Sequence, residues 1–323
     1  MTPPSTPSTK AFALIGVGGY IAPRHLRAIK DTGHVLAAAL DKNDSVGVLD
    51  SYFPDAHFFT EFERFDRHIE KRRRRGEGID YVSICSPNYL HDAHVRFALR
   101  VEADAICEKP LVINPWNVNA LAELEQETGR KINTILQLRL HPTIEALRRK
   151  VAEGPAEKVY DIDLTYITSR GRWYHASWKG DESKSGGIAN NIGIHFFDML
   201  IWIFGAVRQN FVHVRTPTRA AGFLDLARAR VRWFLSLERG DVPVAPEPDK
   251  PQTYRSILVD GEEIEFSGGF TDLHTESYRR ILSGEGFGTD SVLPSIELVY
   301  DIRHAEPLGL KGQYHPLLKK IAL

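Results

Sequence analysis

Phe12-Ala13-Leu14-Ile15-Gly16-Val17-Gly18-Gly19-Tyr20-Ile21 is the stretch on which the fold turns. Its four leading apolar residues predict a short buried strand, and the glycines that follow predict a tight turn into a helix. Glycine there lets the backbone approach a pyrophosphate, which rests on the N-terminus of the next helix. The third glycine of the usual G-x-G-x-x-G is absent, with Ile21 in its place and Ala22 next. The loop alone is therefore a degenerate signal. Its candidate cofactor contacts are Gly16, Gly18, Gly19, Tyr20 and Ile21.

Working outward, short β-rich runs alternate with helical patterns as far as Gln137. Strands are predicted at Phe12–Ile15, Val35–Leu40, Tyr81–Cys85, Ala105–Cys107 and Ile132–Gln137. Helices are predicted near Pro23–Lys30, Glu61–Arg75, Leu90–Arg100 and Pro115–Thr128. That alternation predicts a doubly wound parallel sheet of Rossmann type, whose ligands sit at the carboxyl ends of its strands. Asp41 closes the second strand, and a carboxylate there can accept both ribose hydroxyls of NAD and repel the 2′-phosphate of NADP. It also reads as a helix N-cap. Lys42 beside it leaves room for NADP, but NAD is the expected cofactor.

Two further strand ends carry polar groups. Ser86-Pro87-Asn88-Tyr89-Leu90-His91 follows one, and Glu108-Lys109-Pro110 follows the other. Ser86 and Asn88 read singly as helix caps and His91 as an exposed helix residue. A lysine at the end of a buried strand, between a carboxylate and a proline, is poorly explained by packing. Lys109 there can bind the nicotinamide ribose and a substrate hydroxyl, easing formation of an alkoxide. Ser86, Asn88, His91, Glu108, Lys109 and Gln137 join the expected cofactor contacts.

Beyond residue 156 the texture changes. Val159–Thr168, Asn210–Thr216, Ala227–Leu237 and Tyr254–Phe266 read as longer β-runs, with helices only around 190–204, 274–283 and 294–303. This predicts an α+β domain with an open, mostly antiparallel sheet. The expected organisation is a disordered leader at 1–10, a cofactor domain at 11–140 and a substrate and oligomerisation domain at 141–323, joined by a helix at Thr143–Glu153. Val242–Pro251 is expected to be a surface loop.

Within Ser185–Leu200, helical spacing at about 100° per residue puts Asn191, His195 and Asp198 on one face. Buried polar groups need partners or a purpose. His195 can take a hydroxyl proton, since imidazole titrates near working pH; alternatively Asp198 satisfies it in the core. Arg139, Arg170, Arg172 and Lys179, with Trp173, Tyr174 and Trp178, offer cations and aromatic faces for an anionic sugar. Taken singly, these arginines also read as surface ion pairs. His274, Glu276 and Tyr278 on a late helix are further pocket candidates.

The 323 residues carry 41 Lys and Arg against 42 Asp and Glu, a net charge of -1. No global basic field exists to hold nucleic acid or an anionic membrane. The run Lys71-Arg72-Arg73-Arg74-Arg75 lacks interleaved aromatics and reads as a solvated helix end closed by Gly76. No apolar run approaches the roughly 20 residues that cross a bilayer; the richest, Ile192–Phe204, contains His195, Asp198 and Trp202. Cys85 and Cys107 read as buried reduced thiols in a cytoplasmic protein. The histidines show no ligand spacing with acids or cysteines, so no metal is expected.

In order and spacing, the loop at 16–21, Ser86-Pro87-Asn88 with His91, and Glu108-Lys109-Pro110 resemble the Gfo/Idh/MocA oxidoreductase family over essentially the whole chain. The resemblance implies a catalytic Lys109 and a cis Lys109–Pro110 bond. The family's motif normally has Asp where Asn191 stands, so Asn191 orients substrate while His195 acts as base. The segments Tyr20–His25, Gln137–Pro142, Arg172–Tyr174 and Lys184–Gly187 resemble one subgroup, the bacterial UDP-N-acetylglucosaminuronate 3-dehydrogenases of O-antigen synthesis. That implies NAD-dependent oxidation of a UDP-linked sugar acid at C3, with Lys109, Arg139, Arg172, Tyr174, Asn191 and His195 at the substrate. It also implies 2-oxoglutarate as an acceptor in some members, and a homo-oligomer, dimer or tetramer. Another sugar, inositol or UDP-sugar as substrate, or a non-catalytic sugar sensor, are the alternatives.

Overall fold

The computed structural model describes residues 9–243, 253–265, 268 and 272–321. The chain divides into two units. Met1–Leu111, Asn117–Ile135 and His274–Thr289 form the first; Val112–Trp116, Leu136–Leu273 and Asp290–Leu323 form the second. This corrects the expected division at residue 140. The chain leaves the first unit at Leu136, before Gln137, and a late segment returns to it. Residues 1–8 of the expected leader lie outside the described residues, but Lys10 is held, its ammonium 3.0 Å from Asp80.

The first unit runs β1 (Ala11–Ile15), α1 (Ala22–Asp31), β2 (Val35–Leu40), α2 (Val48–Tyr52), β3 (His57–Phe59), α3 (Phe62–Arg74), β4 (Tyr81–Ile84), α4 (His91–Arg100), β5 (Asp104–Cys107), α5 (Pro115–Thr128) and β6 (Ile132–Thr134). α5 carries one of the crossings between units, at Trp116. The strands are parallel in the order β3-β2-β1-β4-β5-β6. The order reverses between β1 and β4, where an open α/β sheet leaves its ligand crevice. Phe12, Leu14, Leu26, Ile29 and Ile106 are fully buried in the core that fixes these strand ends. The basic run ends α3, where Arg73 and Arg74 lie 3.0 Å from Glu70 and Gly76 takes φ +77°. Those hydrogen bonds hold the Glu70 carboxyl at about 2.

The second unit contains α6 (Pro142–Glu153), β7 (Tyr160–Thr168), α7 (Arg172–Ala176), α8 (Glu182–Ser185), α9 (Ile194–Phe204), β8 (Val207–Arg215), β9 (Arg219–Leu226), β10 (Ala229–Ser236), β11 (Thr253–Val259) and β12 (Glu262–Glu263). α10 (Leu273–Leu282) lies almost wholly in the first unit, and α11 (Thr289–His304) returns to the second. The sheet order is β12-β11-β7-β10-β9-β8, antiparallel except for the β7–β10 pair. The expected mostly antiparallel sheet is therefore present. The expected Tyr254–Phe266 run breaks at the Asp260-Gly261 turn, and 244–251 of the expected Pro-rich loop lie outside the described residues.

α9 packs into this sheet. Trp233 is fully buried, with Phe197 edge-on at 5.1 Å. A Cβ on Gly193 would stand 2.6 Å from Leu235, so glycine permits the close approach of the turn before α9. Within the 23-residue stretch Glu182–Phe204, the most apolar 18-residue window has mean hydropathy 1.3, so by length and composition alone it meets the test for a membrane span. That corrects the expectation that no run does. In the strongest window 72% is buried inside the protein, as in a core helix.

Candidate active site

At the end of β1, Gly16 takes φ +89° and a Cβ there would lie 2.7 Å from the Cys85 carbonyl carbon. Only glycine lets the loop pass this close to β4. Gly19 donates to the Gly16 carbonyl at 3.1 Å, closing the turn. α1 then begins with no side-chain cap; Ala22 donates to the Gly19 carbonyl at 3.1 Å, Pro23 has no N–H and Arg24 donates to the Ile21 carbonyl at 3.0 Å. The tight glycine turn between β1 and α1 is what fits a pyrophosphate. Tyr20 is 89% exposed at the loop tip, whereas Ile21 packs against the core in place of the missing third glycine. Asp41 accepts Gly18 N–H at 2.9 Å and Asn43 N–H at 2.9 Å. It therefore stiffens the glycine loop; α2 starts only at Val48, so Asp41 caps no helix.

The β4 and β5 ends are tied inward. Ser86 Oγ lies within hydrogen-bond distance of His94 Nδ1, at 2.8 Å; burial, with His91, lowers that imidazole to about 4 and keeps it neutral. Asn88 is 5% exposed. His91 is fully buried and bridges the Pro110 carbonyl (Nδ1, 2.7 Å) and the Ser86 carbonyl (Nε2, 2.8 Å). The exposed residue expected there is instead an internal tie. Glu108, expected at the cofactor, also turns inward: Oε1 lies 3.0 Å from both His25 Nε2 and His274 Nε2. The Lys109–Pro110 peptide is cis, as the resemblance implied. Lys109 itself is partly exposed.

The histidines thus do cluster with an acid, which corrects the sequence reading. Ligand atoms of His25, Glu108 and His274 lie within 4.8 Å of one another. Hydrogen bonds account for all three without an ion. Burial alone would push the Glu108 carboxyl up, but bonds from His25 and His274 outweigh it and hold it well below the carboxylate range. An ionised carboxylate only accepts, so each Nε2 donates. His25 Nδ1 then accepts from Tyr278 OH at 2.8 Å, and Tyr278 OH accepts from Ser83 Oγ at 2.6 Å. His274 and Tyr278, expected to face a substrate pocket, belong to this buried chain.

In the second unit the stripe is not purely α-helical. Ala189–Gly193 forms a π turn ahead of α9, which changes the angle between Asn191 and His195 from the expected one. Such turns recur at functional sites. Asn191 is buried and donates to Tyr174 OH at 2.8 Å, which fixes both against α7. His195 is partly exposed. Asp198 does not serve His195: its two oxygens take the fork of Arg139 at 2.9 and 2.6 Å. Arg139, expected at the substrate, is 6% exposed and also donates to the Ser291 carbonyl at 2.9 Å. Burial pushes the Asp198 carboxyl up, against the pull of that fork. Arg139→Met is expected to lower stability by about 3–5 kcal/mol, because it strands a buried carboxylate. Chemical denaturation checks this, and Arg139→Met/Asp198→Leu should recover part of the loss.

Beside Tyr174 lies a cavity of about 180 Å³ that includes Lys179, Glu182, Gly187, Arg215 and Arg303 in its lining. Lys179 stands 4.5 Å over Trp178, and burial, with Arg170, lowers its ammonium. Arg215 lies 3.7 Å from Glu182, and Arg303 donates to Asn114 at 2.6 Å. Arg172 is exposed at the start of α7. Arg215 and Arg303 carry no sequence signal, since each ends an ordinary strand or helix far from the other cations.

Residues 10–135 match the oxidoreductase family model with an NAD-binding Rossmann fold, and 148–242 match the family's C-terminal alpha/beta domain. The WlbA (WbpB) dehydrogenase of Thermus thermophilus is 52% identical over 95% of this chain and 99% of its own, with a TM-score of 0.90. The chain belongs to the Gfo/Idh/MocA oxidoreductase family. Its first unit is thus the family's NAD-binding domain. One structure of the Thermus protein holds NAD and alpha-ketoglutarate, and another holds NAD and UDP-GlcNAcA. The WlbA dehydrogenase of Bordetella pertussis shares the fold at 19% identity over 93% of this chain and 96% of its own, TM-score 0.74. Among curated family members, the D-glucoside 3-dehydrogenase of Escherichia coli is 26% identical over 39% of this chain and 36% of its own. The match to such curated relatives spans about a third of their length.

Proposed function

We propose that the chain oxidises the C3 hydroxyl of UDP-N-acetylglucosaminuronic acid to the 3-keto sugar, with NAD as acceptor, in bacterial O-antigen amino-sugar synthesis. The observation that carries this is the 52% identity, over nearly the full length of both chains, to a dehydrogenase seen with NAD and UDP-GlcNAcA. Bound NAD supplies the acceptor for the hydride that leaves C3. The Gly16–Ile21 loop holds its pyrophosphate, and Asp41 its ribose hydroxyls. His195 accepts the C3 hydroxyl proton, and Lys109 stabilises the charge that develops on that oxygen. Asn191 and Tyr174, already joined, orient the sugar ring. Lys179, Arg215 and Arg303 supply the positive field that an anionic nucleotide sugar needs, with Arg172 at the rim.

The acid should turn over with kcat/KM at least about a hundredfold above UDP-N-acetylglucosamine, since a carboxylate–guanidinium pair contributes several kcal/mol when desolvated. Equal values would shift the reading to a neutral UDP-sugar. Further parts of the proposal are 2-oxoglutarate as the acceptor that regenerates NAD, a cytoplasmic location and a homo-oligomer. Phe211, Leu308 and Leu310 leave apolar surface at and beside β8, which supports pairing of copies.

A further inference from the structure

Glu108 carries a full negative charge into a place where little water reaches, one residue before Lys109. It is 7% exposed, and His25 and His274 are 0% and 2% exposed. A lone buried carboxylate is costly, and a fold that needed only packing would do as well with an apolar side chain. Here α1, the turn just after β5 and α10 each contribute one member of the cluster, with His25 and His274 at separations of 83 and 166 residues from Glu108. The two carboxylate oxygens are divided between two tasks. Oε1 takes both imidazole Nε2 donors at 3.0 Å; Oε2 takes the backbone N–H of Lys109 at 3.3 Å. On the other side of Lys109, the Pro110 carbonyl is bound by His91. The lysine backbone is thus held from both neighbours by buried imidazoles.

We propose that His25 and His274 are positioning residues for Lys109, acting through the Glu108 carboxylate they clamp. This rests on the reading of Lys109 as a catalytic group. The direction of the chain supports it. Ser83 donates to Tyr278, Tyr278 donates to His25, and His25 donates to Glu108, so each link fixes the tautomer and angle of the next. The end of this chain is an anion whose free oxygen holds the amide of Lys109.

His274→Asn and His274→Gln separate positioning from packing. Gln can place its amide nitrogen near the position of the imidazole Nε2; Asn is one methylene short. His274→Asn is expected to lower kcat about ten- to hundredfold, the worth of one hydrogen bond to a charged group, with the KM for the UDP-sugar acid within about threefold. His274→Gln should recover kcat to within about threefold of the unsubstituted enzyme. Equal losses in both variants, or a raised KM with unchanged kcat, would overturn the proposal. So would one equivalent of tightly held divalent metal in the purified protein, since both Nε2 atoms would then be ligands. Lys109→Met, assayed beside them, distinguishes the two failures. If it keeps normal turnover, the catalytic reading of Lys109 falls; if it alone loses turnover, only the clamp falls.

Discussion

Lys109→Met is expected to lower kcat for the UDP-sugar acid by at least about a hundredfold, with KM changed only a few fold. Methionine keeps a linear apolar stem of similar length and removes the ammonium, so the change isolates the charge. The lysine stands at the end of β5, and its neighbours on both sides are fixed by buried hydrogen bonds. On the proposed mechanism, a lysine whose backbone is held in this way offers its charge where the transition state develops one, at little cost in reorganisation. Lys109→Arg should be only partly active, because a planar fork retains the charge but not the point position of the ammonium. Steady-state rates of nicotinamide reduction check both variants.

His195→Ala should reduce kcat by about a hundred- to ten-thousandfold, the usual contribution of a positioned general base. Asn191 cannot replace it, since an amide does not titrate and its nitrogen is committed to Tyr174. Asp198 cannot replace it either while Arg139 holds both of its oxygens. Added imidazole should restore part of the lost rate in His195→Ala and none in Lys109→Met. A His195→Ala enzyme of normal rate would remove the proton-transfer role.

The cofactor unit was legible because its signals are local. β1 runs straight into Gly16, β2 into Asp41 and β5 into Lys109, and each polar group follows its own apolar run within a residue or two. β3 (His57–Phe59) escaped because three residues containing a histidine show no period. β9 (Arg219–Leu226) escaped because Ala220, Ala221 and Gly222 lack the branched side chains that mark strands. The π turn at Ala189–Gly193 has the same composition as an α-helix and differs only in which carbonyl each amide finds. Longer-range features left no trace at all. Arg139 meets Asp198 across 59 positions, and His274 meets Glu108 across 166, so neither pairing has a spacing to read. For the same reason the return of His274–Thr289 to the first unit was invisible, as were the ties of His91 to the Pro110 carbonyl and of Glu108 to His25 and His274.

The most direct measurement is the fate of a deuterium label placed at C3 of UDP-N-acetylglucosaminuronic acid. On mixing with the purified protein and NAD, the label is expected on the reduced nicotinamide, together with a C3 ketone and a rise in the reduced-nicotinamide absorbance. Adding 2-oxoglutarate should then return the absorbance toward its starting value. Unlabelled reduced nicotinamide, or no reduction with the acid while another sugar is oxidised, would contradict the account.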